Sequence, residues 1–149
     1  MTDLVAGNRL VLLRSGGEFF PALEEAVTQA VHSIHLQTYI FADDATGRRI
    51  ALALIAAVRR GVKVAVIIDG FNVGRYSGTL RDELAAAGVE VIVFRPEQAL
   101  FQFDRQRLRR MHRKIATIDR RVAFVGGINI IDDMHTPGHT PPREDYAVR

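Results

Sequence analysis

Segments with the apolar period of a β-strand alternate along this chain with segments of helical period, separated by short polar breaks. This alternation restricts the fold more than any other feature, because it is typical of domains in which helices pack on a sheet. The predicted strands cover residues 9–13, 34–41, 62–68 and 89–94, and the predicted helices cover residues 18–31, 46–58 and 79–87. We therefore expect an α/β domain.

Local sequence features refine three of these segments. Thr46 is placed to cap the second helix, and Gly61 follows its end, where glycine most easily adopts a left-handed conformation. Residues 62–68 form a continuous apolar run, which predicts a strand buried on both faces. Residues 70–78 are rich in glycine but lack the Gly-Lys-Ser/Thr ending of a phosphate-binding loop, so we interpret them as an ordinary connection.

Two further strands, at residues 114–118 and 122–126, lie so close in sequence that they predict an antiparallel hairpin. If its turn has an even number of residues, Lys114 lies opposite Gly127. His112 then lies opposite Asn129, and alternation places His112, Lys114 and Asn129 on one face. An odd turn would break this convergence. Residues 132–144 are predicted to be a loop, and residues 145–149 begin to alternate like a strand.

Composition limits the class of protein. A chain of 149 residues that is 48% hydrophobic predicts a single domain over residues 1–149. The absence of cysteine excludes disulfides, zinc fingers and a thiol nucleophile. The longest apolar run, residues 50–58, has about half the length needed to span a membrane, and residues 1–10 lack the apolar core of a secretory signal. We expect a cytosolic or membrane-surface protein.

Positive charge is concentrated in one part of the chain. Eight of the 20 Lys and Arg residues fall between positions 105 and 121. The only acidic residue in this range is Asp119, and Asp104 directly precedes the range. An anionic partner would fit this segment, and nucleic acid, an acidic lipid surface, a phosphate-bearing substrate and a merely solvated basic face all stay open. Apolar residues interleave with arginines over positions 100–111, which fits either a membrane interface or a plug in the core.

The predicted hairpin gathers groups suited to phosphoryl chemistry. The ammonium of Lys114 and the amide of Asn129 could hold phosphate oxygens, while a neutral nitrogen of His112 attacks phosphorus in line. Gly127 would leave room for Lys114 and a bound oxyanion. Such a displacement requires no metal and no cofactor. It does require a second acid for the leaving oxygen, and a carboxylate to orient the imidazole.

These residues also carry a resemblance. The pattern His112-x-Lys114, Asp119, Gly126-Gly127-x-Asn129 resembles the HKD motif of the phospholipase D superfamily. Nearly the whole chain is similar to the N-terminal half of bacterial cardiolipin synthases, and most of all to the cardiolipin synthase B type. Further stretches that carry this likeness are residues 37–44, 59–62, 69–70, 109–114 and 145–149. The resemblance implies a phospholipase D-like fold with a mixed sheet flanked by helices, forming one of two pseudo-twofold-related halves.

The resemblance also implies roles for individual residues. His112 matches the nucleophile, Lys114 and Asn129 match the phosphate-binding residues, and Asp119 matches the motif aspartate, which is expected to brace the hairpin. Asp145 matches the carboxylate that orients the imidazole. The candidate substrate-binding residues are Arg113, Gly126 and Gly127. Some relatives have an acidic residue at the position of Gln37.

The implied function is a phosphatidyltransferase that makes cardiolipin from phosphatidylglycerol through a phosphohistidine. The site would be completed by a second HKD motif, either in a C-terminal half or in a second copy of the chain, at the cytoplasmic face of the bacterial inner membrane. Water as the acceptor would give phospholipase D hydrolysis instead. Two alternatives stay open: a homodimeric phosphodiesterase or nuclease with a single motif, and a non-catalytic nucleic-acid-binding module.

Overall fold

A seven-stranded mixed sheet forms the centre of the protein in the computed structural model, which describes residues 6–96 and 110–149. Its strands are β1 (Leu12–Arg14), β2 (Ser33–Thr38), β3 (Lys63–Asp69), β4 (Glu90–Phe94), β5 (Lys114–Ile118), β6 (Val122–Gly126) and β7 (Tyr146–Val148). They lie in the order β1-β7-β6-β5-β2-β3-β4. Strands β2, β3 and β4 are parallel, and every other neighbouring pair is antiparallel. The predicted mixed α/β sheet is confirmed.

The described residues include the helices α1 (Ser15–Gln29), α2 (Ala45–Arg59), α3 (Gly70–Tyr76) and α4 (Leu80–Ala86). The sequence predicted α1, α2 and α4, with ends that differ by one to three residues. The predicted loop at residues 70–78 was wrong, because seven of these residues form α3. The Asp69 carboxylate begins this helix by accepting a hydrogen bond from the Phe71 N–H at 3.0 Å. Two turns are too short to show a helical apolar period.

The ends of α2 follow the expected physical rules with one correction. Asp44, rather than Thr46, caps the helix, and its carboxylate accepts a hydrogen bond from the Gly47 N–H at 2.8 Å. Thr46 already lies inside the first turn. At the other end, Gly61 has a φ of +88°, and its N–H donates to the Val58 carbonyl at 2.8 Å. The predicted left-handed glycine is confirmed.

The core lies on one face of the sheet. Side chains from α1, α2 and α4 form a single buried cluster with the strand residues on that face, including Leu36, Val66 and Phe124. Strand β3 alternates between buried residues and partly exposed ones such as Ala65 and Ile67. The prediction that β3 is buried on both faces was therefore wrong. Among the described helices, none combines the length and the apolar character that a membrane-spanning segment needs.

Strands β5 and β6 form the predicted hairpin, but in a different register. Lys114 pairs with Gly126 and Ile118 pairs with Val122, so the turn contains three residues instead of an even number. Asp119 and Arg120 adopt positive φ angles of 52° and 55° in this turn. Non-glycine residues rarely take this conformation, so the sequence pattern favoured the wrong turn.

The chain changes direction after β6. Ile130 forms a parallel bridge with Phe41, beyond the end of β2, and its N–H donates to the Ile40 carbonyl at 3.1 Å. Residues 132–144 form the predicted loop, and the last strand-like segment becomes β7, between β1 and β6. Residues 97–109 lie outside the described residues and include most of the basic and apolar segment at positions 100–111, so the membrane-interface interpretation stays a prediction.

Candidate active site

The candidate site lies at the edge of the sheet where β2 and β3 end and β5 begins. His112 precedes β5 by two residues, and Lys114 is its first residue. The Lys114 Nζ lies 3.1 Å from the His112 Nδ1, and it donates to the His112 carbonyl at 3.0 Å. The two side chains therefore project to the same side, as the strand period predicted.

The environment favours the neutral form of the imidazole. Partial removal from water lowers the pKa of His112 below 6.5, and the nearby Lys114 charge lowers it further, although Asp69 opposes this shift. The Lys114 side chain is only 8% exposed. Its burial lowers the pKa of Lys114 below 10.5, with the Asp145 carboxylate opposing that effect and the Arg143 guanidinium adding to it. A neutral imidazole is the form that can act as a nucleophile.

Asp145 lies close enough to Lys114 to raise the pKa of its ammonium. Its Oδ1 accepts a hydrogen bond from the Tyr146 N–H at 2.7 Å, and its charge attracts the Lys114 ammonium. No hydrogen bond joins Asp145 to His112, although the structure describes both side chains. The orienting contact that the resemblance implied is therefore not present in this arrangement.

Gly127 is required for the position of Asp145. A Cβ at Gly127 would overlap the Asp145 carboxylate. The expectation that this glycine leaves room for Lys114 was wrong, because the observed register pairs Lys114 with Gly126. A Cβ at Gly126 would overlap the backbone of β7, so the absence of a side chain there allows β7 to pack closely. The structure places Gly126 as a packing residue, whereas a role in substrate binding stays a prediction, and Arg113 is exposed.

Asn129 reaches the site by a different route from the one expected. The shorter turn would put it on the opposite face from Lys114, but the chain leaves β6 before Asn129 and turns towards the segment after β2. There the side chain is buried, and its Oδ1 accepts a hydrogen bond from the Ile40 N–H at 3.1 Å. Asn129 thus holds the backbone next to Tyr39.

Asp119 lies at the far end of β5, roughly 16 Å from Lys114 along an extended strand of this length. Its carboxylate accepts hydrogen bonds from the backbone N–H groups of Val31, His32 and Ser33 at 2.7 to 2.8 Å. These bonds lower the pKa of Asp119 from 3.8 to about 2. The structure therefore separates Asp119 from the other candidate catalytic residues and gives it the expected bracing contacts.

Two residues that sequence analysis did not assign to the site also contact it. The fully buried Asp69 carboxylate accepts a hydrogen bond from the Met111 N–H at 2.7 Å and so holds the residue before His112. The Tyr39 ring lies 5.0 Å from the His112 ring, between centroids. Asp69 ends β3 and Tyr39 directly follows the neighbouring parallel strand β2, and this shared edge is the feature that could have identified them.

Arg143 is a buried cation behind the site. It is only 1% exposed, and its Nη2 donates to the Asp133 Oδ1 at 2.5 Å. The other oxygen of Asp133 accepts from the Gly16 N–H at 2.7 Å, which ties the loop to the start of α1. The loop pattern at residues 132–144 gave no indication of a buried charge.

Comparison with known families identifies this arrangement. The family model described as "Cardiolipin synthase, PLD-like domain" matches residues 23–136, which is more than half of the chain. The chain belongs to this family of phospholipase D-like domains. The resemblance to cardiolipin synthases, which the HKD residues indicated, is therefore confirmed.

Individual relatives agree with the family assignment. Cardiolipin synthase B of Shigella flexneri is 40% identical over 143 residues, which cover 96% of this chain and 35% of that protein. Cardiolipin synthase of Geobacillus kaustophilus is 36% identical over 126 residues, 85% of this chain and 25% of that protein. The chain thus spans only about a third of the length of the cardiolipin synthase B proteins it matches.

Solved structures confirm the fold. The phospholipase D family member Nuc from Salmonella typhimurium superposes with a TM-score of 0.69 at 24% identity, covering 94% of this chain and 80% of that one. At this identity the likeness concerns the fold alone. The predicted phospholipase D-like α/β fold is confirmed, while the extent of the domain over residues 1–149 stays a prediction.

Proposed function

We propose that this domain forms half of the active site of a phosphatidyltransferase that makes cardiolipin from phosphatidylglycerol. The main support is the pairing of an exposed imidazole with a buried ammonium 3.1 Å away, in a chain whose relatives are named cardiolipin synthases. This pairing supplies both a nucleophile and a cation for the phosphate.

The first step is the attack of a His112 ring nitrogen on the phosphorus of phosphatidylglycerol. The phosphate oxygens draw the Lys114 ammonium away from the His112 Nδ1, which releases the lone pair of that nitrogen. A nitrogen–phosphorus bond forms, and the bond from phosphorus to the glycerol oxygen breaks. The Lys114 charge stabilises the negative charge on the phosphoryl oxygens in the transition state.

A second motif completes the reaction. The departing glycerol oxygen must gain a proton, and we assign this role to the histidine of a second HKD motif, in a C-terminal half or in another copy of the chain. A hydroxyl of a second phosphatidylglycerol then loses its proton to the second histidine and attacks the phosphohistidine. The nitrogen–phosphorus bond breaks, which gives cardiolipin and restores the His112 imidazole. With water as the acceptor, the same intermediate would yield phosphatidic acid.

The substrate places the reaction at a membrane surface. Phosphatidylglycerol is an anionic lipid, so we propose that the protein binds peripherally at the cytoplasmic face of the bacterial inner membrane. Each basic residue near such a surface adds on the order of 1 kcal/mol of attraction. Arg113 is exposed next to His112 and is suitably placed to contact lipid phosphates.

One observation favours a second candidate function. The sequence contains a single His-x-Lys pattern, at His112 and Lys114. A homodimeric phosphodiesterase with one motif per chain is therefore the alternative.

A diester with a nitrophenolate leaving group tests the nucleophile without the second motif, because nitrophenolate departs without a proton. The chain mixed with bis(p-nitrophenyl) phosphate should release one nitrophenolate per chain in a burst and retain a phosphoryl adduct on His112, located by mass spectrometry. The burst should vanish in His112→Ala. The matched control is His139→Ala, since His139 is an exposed histidine in the loop at residues 132–144.

The outcomes separate the candidates. The absence of a burst, or an adduct on another residue, would overturn the proposal. Sustained release of nitrophenolate by a dimer of this chain would show that no C-terminal half is needed, and it would establish the homodimeric phosphodiesterase instead. On phosphatidylglycerol vesicles, the chain alone should form no cardiolipin, whereas a polypeptide that carries both motifs should release cardiolipin and glycerol in equal amounts.

A further inference from the structure

Tyr39 contacts both groups proposed for the chemistry. Its ring centroid lies 5.0 Å from that of the His112 imidazole, with an angle of 51° between the planes. The Lys114 Nζ lies 5.4 Å from the same centroid, within the range of a cation–π contact. One aromatic surface therefore touches the nucleophile and its cationic partner together.

The backbone around Tyr39 is held by three side chains. The Asn72 Nδ2 donates to the Tyr39 carbonyl at 3.0 Å. On the next residue, the Ile40 N–H donates to the Asn129 Oδ1 at 3.1 Å, and the Ile40 carbonyl accepts from the Thr38 hydroxyl at 2.7 Å. Thr38, Asn72 and Asn129 are buried, so these bonds are shielded from water. A rigid segment thus carries the ring.

The imidazole has few other constraints. His112 is exposed and precedes the first residue of β5, so no ladder hydrogen bond fixes its backbone within the sheet. Among the described residues, its ring lies against the Tyr39 ring and its Nδ1 lies against the Lys114 ammonium. A side chain free to rotate would lose much of the benefit of a positioned nucleophile.

We propose that Tyr39 is a positioning residue, whose ring holds the His112 imidazole and the Lys114 ammonium in the arrangement that phosphoryl transfer uses. The proposal rests on the function proposed above. It gives Asn72 and Asn129 an indirect role, because they bind the carbonyl and the N–H of the Tyr39–Ile40 peptide. The phenol hydroxyl is not part of the argument. The ring alone makes the contacts.

The titration of His112, followed by NMR in the whole chain without substrate, tests this role directly. In Tyr39→Ala, water regains access to the ring and Lys114 loses one of its contacts. The pKa of His112 should then rise towards 6.5, while Tyr39→Phe should titrate like the wild type. The His112 signal is assigned by its absence from the spectrum of His112→Ala.

Tyr76 provides the matched control. Tyr39 and Tyr76 are both partly buried and pack against the same small cluster of Ile40, Ala42 and Ile131, but only Tyr39 touches His112. Tyr76→Ala should leave the titration unchanged. If Tyr39→Ala does not fold, Tyr39→Leu keeps much of the bulk and removes the aromatic ring.

Activity gives a second measurement. The rate of the nitrophenolate burst should fall about 100-fold in Tyr39→Ala, with a smaller change in the substrate concentration at half-maximal rate, and stay within about twofold in Tyr39→Phe. A His112 titration that is the same in Tyr39→Ala and wild type would overturn the proposal, and so would an equal shift in Tyr76→Ala. A wild-type chain with no burst would overturn the proposed function instead, because the NMR result does not depend on substrate.

Discussion

Replacing Asp69 by alanine would remove the acceptor of two backbone N–H groups at the base of the site. The Asp69 side chain is fully buried, and its two oxygens accept from Phe71 at 3.0 Å and from Met111 at 2.7 Å. The first bond begins α3 and the second holds the residue before His112. The Asp69→Ala variant should therefore lose stability and site geometry together.

The size of the effect follows from these two contacts. A donor left without a partner in a buried position costs about 1 to 3 kcal/mol, so Asp69→Ala should lower the free energy of unfolding by about 4 kcal/mol. Asp69→Asn keeps one acceptor oxygen and should lose about half as much. For a domain of this length, a loss of about 4 kcal/mol lowers the melting temperature by roughly 8 to 16 °C.

Urea unfolding followed by circular dichroism measures the free energy of unfolding. The matched control is Asp82→Ala, because Asp82 is an exposed carboxylate that pairs with the exposed Arg81 at 2.6 Å. Such surface pairs contribute at most about 1 kcal/mol. A loss below about 1 kcal/mol in Asp69→Ala, or an equal loss in Asp82→Ala, would refute the reasoning that buried backbone donors depend on Asp69.

Two other substitutions test contacts at either end of β5. The folded pKa of Asp119 is about 2 against an ordinary 3.8, so Asp119 stabilises the fold above pH 3.8 and this contribution is lost as the pH falls towards 2. Asp119→Asn should therefore be less stable than wild type at pH 7 and nearly equal to it at pH 2 in urea titrations, whereas a constant difference would contradict the assigned bonds. Gly127→Ala places a Cβ on the Asp145 carboxylate and should reduce the nitrophenolate burst at least tenfold. Gly17→Ala is the control, because its Cβ would lie in open space, and it should leave the burst unchanged. Equal bursts in the two variants would show that Asp145 moves aside freely.

Local sequence features predicted much of the fold because they act within a few residues. The left-handed Gly61 at the end of α2 depends only on its own backbone, and the hairpin depends on two short apolar strands. The register failed because Asp119 and Arg120 adopt positive φ angles. The three hydrogen bonds from residues 31–33 to Asp119 stabilise that turn, and no local pattern reveals a contact across more than 80 residues.

In the candidate site too, contacts between residues close in sequence were predictable and contacts between distant residues were not. His112 and Lys114 were predictable as neighbours because they are two residues apart in sequence at the start of β5. The contacts of Asn129 with Ile40, and of Asp145 with Lys114, depend on the path of the chain after β6. The apolar period of a sequence describes one strand at a time, so it cannot predict the path of the chain from one strand to the next.

The position of β5 links the chemistry to the order of folding. This strand lies between β6 and β2 and joins the antiparallel part of the sheet to the parallel part, and its partner β2 is roughly 80 residues away in sequence. During synthesis, β2 emerges from the ribosome long before the residues that will pair with it. His112 and Lys114 therefore meet the Tyr39 ring only after β5 has paired with β2, so a chain synthesised only as far as β4 cannot have assembled the candidate site.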